Sequence, residues 1–502
     1  MERLIDGAEV AQHNNKNSSW IVLESKVYDV TSFLPQHPGG AAILLKQAGT
    51  DATNEFKKYH PLEYVQDLPP ASLLGSIDPN TFAKLLTTKE TTSTPGSELS
   101  QNDSSKIPHI SLCVSTIDFE RAAQKVLPHK SFIYASTSAN TGLSLQSNLS
   151  SWSSVTFRPR ILRNVGGPIS TTRSILGHPS PHPFYISPMG TMGAIHTGAE
   201  PELIRGAVPK GIHIVVSTAS TKTTPAIMQS YQDAQASLPS PSPSNLFFQF
   251  YMPVNRSKAV ELIHLVKRSG YKALWITVDT PVLGKRTTDR YLQAEESLSV
   301  GLDSSSTASW EAGSENPTAP AMGGRPVSGQ LSPHTTWEDL EWVRREWQGP
   351  IVLKGVQCAE DAKMAAEYGV QGVLLSNHGG RQLHSAPSAL ATLAEMRVFC
   401  PEVFRKLEVY VDGGLRDGAD VLKAVALGAT AVGIGRPFLY ALGAYGAGGV
   451  GRCVDVLAEE LEMAMRLVGV TALEQLRPDM VNAAKLVNEM WRPDAFDVKS
   501  RL

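Results

Sequence analysis

One stretch of the 502-residue chain gathers groups that can move a proton and hold an anion: Ser376-Asn377-His378-Gly379-Gly380-Arg381-Gln382. An imidazole exchanges its proton near neutrality. A guanidinium three residues further on can grip a carboxylate through two parallel N–H donors. Other polar groups stand at the ends of apolar runs: Ser217, Gln249, Tyr251, Thr277, Asp279, Asp412 and Arg436. Lys354 directly follows Ile351-Val352-Leu353, which argues against a plain surface charge. Gly413, Gly414 and Gly435 permit close backbone approach, and Arg416 and Arg436 beside them can pair with phosphate.

Groups spread over so many segments need a scaffold that brings the segment ends together. Eight apolar runs read as strands: 184–190, 212–218, 246–252, 273–279, 351–355, 372–376, 408–412 and 431–435. Amphipathic stretches at 259–269, 359–368 and 418–426 lie between them and read as helices. Strand–helix alternation of this length predicts a (β/α)8 barrel of the α/β class, whose functional residues collect at the C-terminal strand ends. The polar residues above fall at those ends.

The flanking segments differ in character. Residues 1–79 form a compact, motif-rich unit. Ten of the nineteen residues at 87–105 are Ser or Thr, too few apolar groups to order the segment, so 80–106 is expected to be a flexible hinge. Residues 107–502 then carry the barrel. Within it, 297–330 and the Ser-Pro insert at 237–245 are expected to be surface loops.

In the first unit, Lys26-Val27-Tyr28-Asp29-Val30 leads to Phe33-Leu34-Pro35-Gln36-His37-Pro38-Gly39-Gly40, then Ala48-Gly49-Thr50-Asp51, Phe56 and His60. The pattern resembles the cytochrome b5 family, an α+β fold. The resemblance implies haem b with His37 and His60 as its axial ligands. Two imidazoles saturate the iron, which favours one-electron transfer over oxygen activation.

The barrel segment resembles the FMN-dependent 2-hydroxy-acid oxidases and dehydrogenases, on the His378 stretch together with Thr277-Val278-Asp279-Thr280-Pro281, Leu353-Lys354-Gly355, Val411-Asp412-Gly413-Gly414 with Arg416, and Gly433-Ile434-Gly435-Arg436-Pro437. This resemblance implies His378 as base, Asp279 as the carboxylate that orients it, and Tyr251 as hydrogen-bond partner of the substrate hydroxyl. Tyr134, Arg286 and Arg381 would bind the substrate carboxylate. Pro188, Met189, Gly190, Ser217, Gln249 and Thr277 would line the flavin ring. Lys354 would be the cation beside it, and Asp412, Gly413, Gly414, Arg416, Gly435 and Arg436 would complete the cofactor site. Carbanion and hydride routes both remain open. Ala219 is smaller than the residue often found beside the substrate, so a longer hydroxy acid could enter; a few methylenes there discriminate by only ~1–3 kcal/mol. A small cytochrome joined to such a barrel resembles the flavocytochromes b2.

The expected activity is oxidation of a lactate-like L-2-hydroxy acid, with electrons leaving through haem to a one-electron acceptor protein such as cytochrome c. The alternatives are a peroxide-forming oxidase and an electron-transfer module on an inactive barrel; the complete set of His378, Arg381, Asp279 and Lys354 argues against the latter. The resemblance also implies a homotetramer. A net charge of −2 gives no broad basic field for nucleic acid, and no apolar run approaches the ~20 residues that span a bilayer, so no membrane is expected. Scattered Cys113, Cys358, Cys400 and Cys453 read as reduced thiols. Ser500-Arg501-Leu502 resembles a peroxisomal address, and Met1 to Val10 has no apolar signal core. A peroxisome is therefore expected, with cytoplasm or mitochondrial intermembrane space as alternatives.

Overall fold

The computed structural model describes residues 3–37, 40–81, 107–299 and 331–491. The Ser/Thr-rich stretch at 87–105, Pro38 and Gly39, the segment 300–330 and the C-terminal tripeptide lie outside the described residues.

Eight parallel strands close a barrel: β1 (Phe184–Ile186), β2 (Ile214–Ser217), β3 (Leu246–Tyr251), β4 (Leu274–Thr277), β5 (Ile351–Val356), β6 (Gly372–Leu375), β7 (Glu408–Asp412) and β8 (Ala431–Ile434). Closure is direct, because β1 pairs with β2 at Ile186–Ile214 and with β8 at Phe184–Val432. Each strand alternates its faces. Tyr185, Val215, Phe247, Trp275, Val352, Leu374 and Tyr410 fill one apolar cluster, while neighbours such as Phe184, Phe248, Leu274 and Val409 join the larger cluster packed with the helices. Both faces are buried, which is why these strands read as unbroken apolar runs. All eight expected strands form. The first leaves the sheet after Ile186, so Ser187 to Gly190 become a loop at the barrel mouth.

The 237–245 insert is mostly exposed, but the Ser242 and Ser244 hydroxyls donate inward to the Val208 and Ile212 carbonyls and pin it to the barrel. Residues 297–299, expected in a surface loop, instead finish a helix at Thr287–Ser299. None of the described helices is long and apolar enough to cross a membrane.

The N-terminal unit has a six-stranded sheet with short helices across it, among them α1 (Ala41–Gln47) and α2 (Thr53–Tyr59). The helices that matter in the barrel unit are α3 (His129–Ser136), α4 (Leu143–Ser154), α5 (Thr287–Ser299) and α6 (Arg436–Val468). α1 lies against α5, and α2 lies against the turn Met192–Ala194. Both contacts are with segments that follow C-terminal strand ends, the face where barrels carry their sites.

Candidate active site

The strand ends meet as a buried polar belt. Ser217 on β2 donates to Gln249 Oε1 on β3 (3.1 Å), and Gln249 Nε2 donates to Thr277 Oγ1 on β4 (2.9 Å). Thr277 lies opposite Lys354 on β5 in the strand register. Each of these side chains is less than a tenth exposed. They follow apolar segments because strand pairing fixes the register and the interior alternation turns them to the same end.

His378 sits just past β6 with φ +60°, a left-handed conformation that costs a non-glycine residue about 1–3 kcal/mol and points from backbone strain to function. Its Nδ1 is 2.9 Å from Asp279 Oδ1, and Tyr251 directs its hydroxyl at Nε2 from 3.4 Å. Lys354 Nζ stands 3.5 Å from Asp279 Oδ2. Thr280 donates to Asp279 Oδ1 at 2.8 Å. Gly355, at φ +108°, makes room for this cluster, since a Cβ there would come within 2.5 Å of Asp279 Cβ.

The electrostatics follow from the packing. Burial alone would push the Asp279 carboxyl up, but His378 and Lys354 outweigh it and hold the group well below the usual carboxylate range. Burial lowers the His378 pKa; Asp279 opposes that and Lys354 adds to it. In its neutral form the imidazole can donate Nδ1–H to the Asp279 carboxylate and present an Nε2 lone pair to the Tyr251 hydroxyl. Burial, then the nearby Asp279, keeps Tyr251 protonated as a donor.

Beside Nε2 is an anion-binding corner. Burial, then Arg286, pulls Arg381 down to about 9, still a cation near neutrality. Arg381 lies over the Tyr134 ring at 4.9 Å, and its Nη1 donates to the Tyr134 carbonyl at 2.7 Å. Arg286 Nε is buried without a hydrogen-bond partner. Asp289 stands 3.8 Å from Arg286 Nη1, but the two guanidiniums still repel each other, and a bound carboxylate would offset that repulsion. The Tyr134 hydroxyl, expected to face the substrate, donates to the Gly190 carbonyl at 3.3 Å and so ties α3 to the loop after β1.

At the β7–β8 side, Gly413 and Gly414 both have positive φ, and nothing approaches a Cβ on Gly435 closer than 3.8 Å, where Met189 Sδ and Ser187 Cβ stand. Pro188 lies in the same loop as Met189 and Gly190. Burial pushes the Asp412 carboxyl up to about 6 despite Lys354, and its Oδ1 has no hydrogen-bond partner. Ser187 Oγ and Thr137 Oγ1 are likewise buried and unpartnered. Orphaned polar atoms around an opening, beside the polar belt, fit a hydroxyl-rich, phosphate-bearing flavin nucleotide. Arg436 is bonded within the chain, whereas Arg416 faces one carboxylate without a hydrogen bond from its Nη1. Arg416 Nη1 is 2.9 Å from the Glu120 carboxylate. Arg436 donates to the carbonyls of Ala135, Thr137 and Gly379. Arg436 thus braces α3 and the His378 turn from the N-terminus of α6.

Some groups in the site give weak signals in the sequence. Asn148 on α4 and Asn377 exchange two side-chain hydrogen bonds (2.7 and 2.8 Å) that anchor the His378 turn. Gln382 donates to the carbonyls of Asp279 and Val282 and accepts from the Gly284 N–H, joining the Asp279 and His378 loops. Asn377 and Gln382 stand inside the motif; Asn148 lies in a serine-rich helix with nothing to distinguish it.

In the N-terminal unit, His37 caps the turn Thr31–Gln36 and His60 caps α2. Their ring centres are 6.3 Å apart. Two metal–imidazole bonds of about 2 Å, with about 1.1 Å from each nitrogen to its ring centre, require roughly that separation. His37 Nδ1 pairs with the Gly40 carbonyl at 3.1 Å, which places the lone pair on Nε2. The walls are Ile21, Leu23, Val30, Leu34, Leu44 and Leu45, with Phe33 and Phe56 against them. These residues fit haem.

Comparison with known proteins follows the same division. Residues 123–483 match the model of the FMN-dependent dehydrogenase family, and residues 6–78 match that of the cytochrome b5-like haem/steroid binding domain. The chain is 34% identical over 488 residues to the L-lactate dehydrogenase (cytochrome) of Wickerhamomyces anomalus, covering 95% of this chain and 80% of that one. It is 34% identical over 493 residues to the protein of the same name from Saccharomyces cerevisiae, covering 96% and 80%. A solved double mutant of flavocytochrome b2 with pyruvate bound superposes with a TM-score of 0.67 at 33% identity, covering 77% of this chain and 90% of that one.

Proposed function

Because the chain belongs to the FMN-dependent dehydrogenase family and carries a cytochrome b5-like haem domain at its N-terminal side, we propose that it oxidises an L-2-hydroxy acid of the lactate kind to the 2-keto acid. FMN supplies the two-electron acceptor and haem b the one-electron relay to an external acceptor protein. The residues divide the remaining work. Arg381 and Arg286 hold the substrate carboxylate. Tyr251 donates to the substrate hydroxyl. His378 Nε2 takes a proton, and Asp279 stabilises the resulting imidazolium. Lys354 is the buried cation of the flavin site, and Ser217, Gln249 and Thr277 are hydrogen-bond partners for the flavin ring. Pro188, Met189 and Gly190 line it, and Asp412 with the glycines at 413, 414 and 435 meets the rest of the cofactor.

The observation that carries this reading is the contact of His378 Nδ1 with the fully buried Asp279 side chain at 2.9 Å, with Tyr251 on the opposite ring nitrogen. The acceptor in the proposal is cytochrome c or a similar one-electron protein, and the assembly is a homotetramer, which sedimentation would test. Ala219 lies directly against Gly190, where a Cβ would approach its methyl within 3.0 Å. Two small residues together extend the proposal to acids longer than lactate.

The test is a panel of 2-hydroxy acids assayed with oxygen and with cytochrome c in parallel, together with anaerobic stopped flow. Haem reduction that follows flavin reduction near the turnover rate is expected. A haem that stays oxidised in the anaerobic run, with peroxide accumulating in the parallel oxygen assay, would favour the oxidase instead. Lactate strongly preferred over every longer acid would remove the wider-substrate extension.

A further inference from the structure

Among the described residues, two contacts between the N-terminal unit and the barrel unit involve no residue assigned above to a cofactor site. At the first, α2 rests on Met192–Ala194, the turn that follows the Pro188-Met189-Gly190 loop. A Cβ on Gly193 would stand 2.2 Å from the Lys58 carbonyl oxygen and 2.6 Å from Thr221 Cγ2. A helix carbonyl cannot swing aside as a side-chain tip can, so one methyl would push the whole helix away. The Gly193 N–H is itself fixed from the barrel side by Thr221 Oγ1 at 2.8 Å. Tyr59, beside Lys58, packs its ring against the barrel's apolar cluster.

The second contact is electrostatic. Glu296 on α5 lies 3.6 Å from Lys46 on α1 and 2.9 Å from Lys130 on α3. The Glu296 side chain is about one-fifth exposed and that of Lys46 about two-fifths, so added salt can screen the pair. One carboxylate thus joins the haem unit to the helix that carries Tyr134.

We propose that Gly193 and Glu296 form the seat that docks the haem unit at the barrel mouth: Gly193 sets the closest approach and Glu296 supplies the clamp. They are positioning residues for electron passage between the two units, and neither is among the residues assigned above to the haem or flavin sites. The inference rests on the electron route proposed above.

The test uses the full-length holoenzyme with Gly193→Val and Glu296→Gln, followed by anaerobic stopped flow with a 2-hydroxy acid that bleaches the flavin. Flavin bleaching should stay within about twofold, while haem reduction slows about tenfold in Gly193→Val, the effect of ~1.4 kcal/mol weaker docking. Glu296→Gln should slow it about threefold. Raising salt from about 10 to about 500 mM should slow haem reduction in the parent chain and leave Glu296→Gln unchanged. A second readout needs no turnover: backbone amides of 53–59 and 192–194 should exchange faster with deuterium in Gly193→Val. Haem reduction at the parent rate in both variants would overturn the proposal, as would flavin bleaching that slows in step with it. If no 2-hydroxy acid bleaches the parent flavin, the substrate reading fails by itself, and unchanged exchange at both segments would overturn the seat.

Discussion

His60 and His378 are both half-buried imidazoles with lowered proton affinity, and their surroundings differ in kind. His60, pushed down to about 4 by burial and by His37, is surrounded by the rings of Phe56, Tyr59, Tyr64 and His37. His378 faces Asp279, Lys354 and Tyr251. An imidazole that serves as a metal ligand needs only a lone pair and an apolar wall. One that takes a proton during turnover also needs a group ready to stabilise the charge it gains. In the proposed roles, binding for His60 and proton transfer for His378, the difference is whether a carboxylate stands at the far nitrogen.

That contrast can be broken from either side. The largest effect is expected from His378→Ala, which removes the base: substrate-driven flavin reduction should fall about ten-thousandfold, with an unchanged haem spectrum. Retention of full activity would refute the assignment. Asp279→Asn keeps the shape and removes the charge, and should cost about a hundred- to thousandfold. It also carries a pH signature. His378 must be neutral to act, so the parent rate rises with pH through a pKa below the ordinary 6.5. Asp279 is the group that raises that pKa, so its removal should move the acidic limb of the pH–rate profile to lower pH; a limb that moves upward would contradict the pairing.

Arg381→Lys exchanges a planar fork for a point charge and should lower kcat/KM about thirtyfold, ~2 kcal/mol, mostly through KM. The smallest expected effect on flavin chemistry comes from His60→Ala. The haem absorption spectrum should change or vanish and delivery to cytochrome c should stop, while flavin bleaching by substrate changes less than about twofold. Loss of bleaching there would mean that the two units are not separable in the way the comparison implies.

The eight strands and the cluster at their ends were legible because the barrel buries both faces of every strand. Any polar group that interrupts such a run must have a use, which made Lys354 after Ile351-Val352-Leu353 conspicuous. The pairing of His37 with His60, proposed as haem ligands, was suggested by their flanking motifs, and the two rings do come within 6.3 Å of each other. Asn148 was not: its partner Asn377 lies 229 residues away, and a buried amide in a helix looks like any other until both ends of the pair are seen. The role of Arg436 was only half legible. Its charge suggested phosphate, while its three bonds to the Ala135, Thr137 and Gly379 carbonyls depend on where α3 and the His378 turn come to rest.

The sequence by itself determined the two units, the barrel, and which side chains could do chemistry, because strand periodicity and the order of the motifs are local properties of the chain. Only the tertiary structure decided which of those groups touch. Asp279 and His378 meet because β4 and β6 flank β5 in a closed barrel, with Gly355 leaving room between them. The seat at Gly193 and Glu296 is still further from the sequence: a missing side chain and a lone carboxylate acquire meaning only when a second folded unit is pressed against them.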